Sequence, residues 1–183
     1  MKLRFLTYSL QGNKHLNIMS SSYQRTLYEL DPKDVRAVVK VNILRENGDN
    51  AIYTTTAYRY FDRHICINDC DDDVQLVLTV NSLRFLKIGY AVISSSKDKY
   101  WVITDIVDKF DNCRSIFRLM RGDSKYATCV SNYKRFDLRI TPKNKAGYIP
   151  KVIDNKLQNA ESINFVKNLE EFWRELAGMY RKS

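Results

Sequence analysis

Histidine occurs only twice in the 183 residues, at His15 and His64, and neither stands in a His-Glu-x-x-His, Gly-x-Ser-x-Gly or Cys-His setting. Enzyme chemistry therefore has little to rest on, and neither a catalytic residue nor a cofactor is expected. Glycine is scarce too. Its six copies, at positions 12, 48, 89, 122, 147 and 178, are scattered singly, which excludes a glycine-rich phosphate loop. With three prolines (Pro32, Pro142, Pro150), no internal repeat and no Pro- or Gly-rich linker, the chain reads as one continuous unit. Residues 1–158 form a β-rich part, and residues 159–183 a helix that either belongs to the same domain or serves assembly. No stretch reaches the roughly 18–20 apolar residues of a membrane span. The opening MKLRFLTYSLQGNKHL has too short and polar an apolar run for a secretory signal, so an intracellular protein is expected. The four cysteines, Cys66, Cys70, Cys113 and Cys129, are then expected as reduced, partly buried thiols.

Positive charge is what the chain has in excess. Thirty Lys and Arg against 21 Asp and Glu give a formal charge of +9, which raises the encounter rate with anionic partners such as nucleic acid or an acidic protein. The same balance also serves solubility alone.

Apolar patterning places most of the secondary structure. Residues 87–123 read as a three-stranded meander: a run ending at Val92 and Ile93, a turn over residues 94–98, a strand over residues 100–107, then a third strand over residues 115–120 after an Asp111-Asn112 turn. Val35, Ala37, Val39, Val41 and Ile43 alternate with polar neighbours, Asn47-Gly48 supplies a turn, and residues 52–61 continue with β-branched and aromatic side chains, which predicts a long hairpin. A strand is expected over residues 74–80, with Leu76, Leu78 and Val80 on one face, and another opens the chain over residues 2–8. Residues 20–28 fit a short helix or a loop, residues 126–140 one or two strands, and residues 141–159 an extended loop.

The last element has a different period. Val166, Leu169, Trp173, Leu176 and Tyr180 recur at three- and four-residue steps, joined by Phe165, Phe172 and Met179, and so cover one broad helical face. Asn159 is placed to cap this helix, and Glu161 to favour its positive end. A helix of this length must dock its apolar face. Packing on its own sheet is one outcome. The other is a partner or assembly surface made of Phe165, Leu169, Trp173, Leu176 and Tyr180.

Two groups of residues carry possible binding chemistry. His64 stands near Cys66, Cys70 and the acidic run Asp69, Asp71, Asp72, Asp73, but zinc sites use separated ligand pairs, and Cys113 and Cys129 lie sixteen residues apart, so no metal site is assigned. A strand from His64 to Ile67 followed by a solvated acidic turn accounts for these residues. Asp31-Pro32-Lys33 and Asp154-Asn155-Lys156 offer only fragments of a nuclease site. Cations and aromatics interleave over residues 133–151, where Lys134, Arg135, Arg139, Lys143, Lys145 and Lys151 oppose the single acid Asp137. Cations neutralise phosphates and rings stack on bases, so this tract, with Arg114 and Arg118 on one face of the third meander strand, is the candidate DNA or RNA surface. Otherwise it is a solvated face beside core Tyr133 and Phe136.

The stretch KDKYWVITDIVDKFDNCRSIFRLMR, residues 97–121, resembles the barrel hairpins of the small head-closure and neck proteins of tailed bacteriophages. The resemblance implies a non-enzymatic assembly part, homo-oligomeric with other subunits around a DNA passage, in the host cytoplasm or the virion. It assigns no functional residue. The expected fold is α+β, a β-rich sandwich or partly open barrel closed by the carboxy-terminal helix. The alternative function is a basic, phage-encoded regulator that binds nucleic acid or inhibits a nucleoprotein.

Overall fold

Alternation of β-branched and polar residues builds two antiparallel sheets, and the computed structural model describes residues 23–27, 40–46, 49–55, 57–58, 63–134, 136–139 and 148–180. In chain order the elements are β1 (Tyr23–Leu27), β2 (Lys40–Glu46), β3 (Asp49–Thr55), β4 (Ala57–Tyr58), β5 (Arg63–Cys70), α1 (Asp73–Phe85), β6 (Tyr90–Ser96), β7 (Lys99–Lys109), α2 (Phe110–Phe117), α3 (Ser124–Tyr133), β8 (Asp137–Arg139), β9 (Lys151–Asn155) and α4 (Ala160–Tyr180). One sheet runs β1-β2-β3-β8, the other β4-β5-β7-β6-β9. The fold is α+β, as expected. Neither sheet closes into a barrel: each has a linear strand order.

The β2–β3 register sets Ile43 opposite Ile52 and Glu46 opposite Asp49, which is the expected hairpin, although residues 35–39, 47–48 and 59–61 lie outside the described set. Within residues 20–28, read as a short helix or a loop, the described part is instead strand β1, while the strand expected over residues 2–8 lies outside the described residues.

The five-stranded sheet carries the core. In β5, Ile65, Cys66 and Ile67 are fully buried in succession, as are Val102 and Ile103 in β7, and in β6 Ala91, Val92 and Ile93 are all buried. Continuous burial means that both faces are covered. Asn68 pairs with Val102 in register and its side chain reaches Thr79 of α1, whereas the neighbouring Trp101 stacks on Trp173 of α4 at 6.1 Å. Because successive side chains point to opposite faces, α1 and α4 cover opposite sides of this sheet. Helices α1 and α4 therefore cover the two faces of this sheet, which is open rather than closed into a barrel.

Helix α4 fulfils its reading. Asn159 Oδ1 accepts the Glu161 N–H at 2.9 Å, Ser162 donates to Thr104 O at 2.8 Å, and Trp173 is only 2% exposed. The Asp105 carboxylate anchors the helix entry by accepting the Gln158 and Asn159 N–H groups at 2.9 Å each.

Four expectations between residues 74 and 159 fail. Residues 74–80 are not a strand but the first part of α1. Asp72 accepts the Gln75 N–H at 2.7 Å while Gln75 Oε1 accepts the Asp71 N–H at 2.9 Å, a reciprocal cap that starts a helix. The third meander strand over residues 115–120 is instead α2 and the turn after it, since Phe110, Cys113 and Phe117 recur at helical spacing on one buried face. Of the described residues among 126–140, most belong to α3 and only Asp137–Arg139 is strand. The expected loop over residues 141–159 contains β9, an edge strand paired with β6.

Candidate interaction surface

Five side chains on and just after α1 stand out from the rest of the surface. Among the described residues eight large apolar side chains are exposed, and Val74, Val77, Leu78, Phe85 and Leu86 are five of them. Val74 is 68% and Phe85 87% exposed. Spacings of three, four and seven place Val74, Val77, Leu78 and Phe85 along one side of the helix, away from the sheet. The inward side holds Thr79 and Leu83, both fully buried, with Leu76 and Val80 half-buried against the core. Exposed apolar side chains grouped on one surface mark interaction sites when the patch is large, whereas scattered single residues do not.

Charge divides the two ends of this stripe. Asp71, Asp72 and Asp73 lie at the amino end, where Asp71 pairs with Lys99 and Asp73 accepts the Tyr100 hydroxyl at 2.6 Å. The hydrogen bond to Asp71 raises the Lys99 pKa, and that to Asp73 pushes Tyr100 up to about 12. Arg84 and Lys87 lie at the carboxyl end. Lys87 has φ 55°, and the Lys87 and Ile88 N–H groups return to Arg84 O and Leu83 O, which closes the helix with a left-handed cap.

Beneath α1, beside the apolar Leu83, a short polar chain runs through Thr79. Asn68 donates to Thr79 Oγ1 at 2.9 Å, and Thr79 donates to Arg121 O at 3.2 Å. The turn between α2 and α3 closes on this pair so tightly that a Cβ at Gly122 would collide with the Asn68 amide. Burial pushes the Cys70 thiol up to about 12 and Cys113 to about 11, and holds Cys66 well above the ordinary range; Cys129 is exposed. All four cysteines are free.

The residues singled out from the sequence fall in different places. Phe165, Leu169 and Trp173 are buried against the chain's own sheet, which corrects the reading of them as an assembly surface, because that face of α4 is already covered. The side chains of Leu176 and Tyr180 lie outside the described residues. Arg114 and Arg118 are not on a strand face. Arg114 is in α2 with a buried Nε that has no partner among the described residues, and exposed Arg118 caps that helix. Lys134 is exposed at the end of α3, Arg139 belongs to β8 of one sheet, and Lys151 is exposed on β9, the edge of the other. The tract of cations is thus divided between elements rather than held on one. Arg135, Lys143 and Lys145 lie outside the described residues.

His64 is buried in an aromatic cluster with Phe110 at 5.6 Å and Phe136 at 6.4 Å, and Cys113 donates to the His64 carbonyl at 3.2 Å. The neighbouring acids cap and flank α1. Among the described residues, no group of three or more His, Cys, Asp or Glu side chains is arranged to hold a metal ion, and no helix is long and apolar enough to cross a membrane. No family model, curated protein or solved structure matches the chain.

The α1 surface escaped the sequence reading, although a signal for it was present. Asp72 followed three residues later by Gln75 is a helix-start pattern.

Proposed function

We propose that this protein is a non-enzymatic structural component that works by contact with other protein subunits, an assembly adaptor of the tailed-phage head-closure or neck kind. The observation that carries the reading is the apolar side of α1, where five exposed apolar residues within thirteen positions stand on a well-capped helix. A rigid element presenting apolar side chains suits a docking part, whose binding energy is not spent on ordering a loop. The phage assignment rests on the resemblance over residues 97–121. The test is the native mass of the full chain with and without added DNA. A defined oligomer that ignores DNA supports the adaptor, and a monomer at every concentration opposes it.

A second reading, a basic nucleic-acid-binding or nucleoprotein-inhibiting regulator, draws on one observation. The exposed residues described along α3 and at its end, which include Lys125, Thr128, Ser131, Asn132 and Lys134, contain no acid. Cations with hydroxyl and amide groups suit phosphate contact. A small species that shifts with DNA, and whose affinity falls steeply with salt, favours this reading.

A further inference from the structure

We infer that the occupant of the α1 stripe is a second copy of this chain, packed helix against helix in antiparallel fashion about a two-fold axis. The inference rests on the assembly reading above and goes beyond it by naming the partner and its orientation. The stripe begins at Val74 and ends at Phe85 and Leu86, so its middle falls between Leu78 and Asn81. An antiparallel copy centred there sets Val74 of one chain against Phe85 of the other, and Leu78 against Asn81. The charged ends decide the direction. Asp72 and Asp73 are exposed at the amino end and Arg84 and Lys87 at the carboxyl end, so antiparallel packing brings acid to base twice. Parallel packing would set acid against acid and base against base. Opposed helix dipoles favour the same direction. A two-fold contact of this kind uses one patch on both subunits and closes on itself.

The size of the patch sets the strength. A helix of thirteen residues is about 20 Å long, so one such pair covers less than the roughly 800 Å² per partner of a standard interface. The association is therefore weak and visible only as a function of concentration. Sedimentation of the full chain over a concentration series is expected to show a monomer–dimer equilibrium. Val77→Asp is expected to weaken it by about tenfold or more, because a carboxylate would be buried unpaired in the contact, while the denaturation midpoint stays unchanged since Val77 already faces solvent. Lys87→Glu is expected to weaken the dimer several-fold, and adding Asp73→Lys to it to restore the wild-type constant.

Each contrary result is informative. A dimer indifferent to Val77→Asp overturns the inference. Failure of the Lys87→Glu and Asp73→Lys pair to restore association overturns the antiparallel direction. A larger ring-sized species unaffected by Val77→Asp leaves the assembly reading standing but overturns this contact. A monomer whose Val77→Asp variant is markedly less stable shows instead that the stripe is covered within one chain, and a monomer at all concentrations opposes both readings.

Discussion

Helices α1 and α4 lie on opposite faces of the same sheet and use their apolar residues in opposite ways. Along α4, Val166, Leu169, Phe172 and Trp173 all point into the core and none is more than 5% exposed. Around α1 the core takes Thr79 and Leu83, while Val74, Val77, Leu78 and Phe85 face outward. A helix that only covers a sheet needs one apolar side. Among the described residues the outward apolar side of α1 stays exposed, which is why α1 rather than α4 is proposed as the interaction element.

The sharpest way to break the comparison is to truncate the anchor of α4. Trp173→Ala is expected to lower the unfolding free energy by about 3–5 kcal/mol, because it removes a buried ring stacked on Trp101 and leaves a cavity. Urea unfolding measures this, and an unchanged midpoint would mean that α4 does not hold the sheet. Next in size is Gly122→Ala, expected to cost about 1–3 kcal/mol because the added methyl forces Asn68 away from Thr79 beneath α1. A neutral effect would show that the underside of α1 is looser than its geometry.

The buried thiols sharpen the comparison further, since Cys70 lies under α1 in contact with Thr79. Burial keeps Cys70 neutral to about 12 and Cys113 to about 11 against an ordinary 9.0, so the folded chain retains protons that the unfolded chain releases. Their contribution to stability is complete below about pH 9 and is lost as pH rises through about 11 and 12. Denaturation at a series of alkaline pH values is expected to show that decline, and a Cys70→Ala, Cys113→Ala variant to make it shallower, the part due to Cys66 and Tyr100 remaining. In the folded protein, only the exposed Cys129 should react rapidly with a thiol reagent.

Smaller effects come from the surface. Asp98 sits in the two-residue tip joining β6 to β7 with φ 56°, so Asp98→Gly is expected to stabilise by about 0.5 kcal/mol, read from the thermal midpoint. Phe85→Ala completes the series. Despite removing a ring, it is expected to change the stability of the monomer by no more than about 0.5 kcal/mol, because that ring is 87% exposed. A large loss would end the contrast between the two helices.

Legibility in the sequence follows the same division. Helix α4 is readable because its apolar residues fall on one side and a cap precedes them. The β2–β3 and β6–β7 hairpins are readable because their turn residues separate runs of β-branched side chains. In α1, the outward Val74 and Leu78 fill the gaps that a one-sided helix would leave polar, so residues 74–80 imitate the alternation of a strand. The side chains that hide the helix are the ones that make its outer surface. In α2, the spacing of Phe110, Cys113 and Phe117 is helical, but an Asp-Asn pair that suits a turn sits between them and favours the strand reading. The cations of residues 133–151 are adjacent in sequence, yet α3, β8 and β9 carry them to different elements, which no local pattern can announce.

The bonds from Asn68 to Thr79 and from Thr79 to Arg121 O join three pieces of chain: strand β5, helix α1 and the turn that leads into α3. Asp123 adds a third tie by donating its N–H to Asp69 O at 2.7 Å. Mechanically, these ties act as a rivet. A force applied to the outer side of α1 is not absorbed by a local slip of that helix but passes into the sheet and the α2–α3 pair, so whatever grips α1 takes hold of the whole five-stranded half of the molecule.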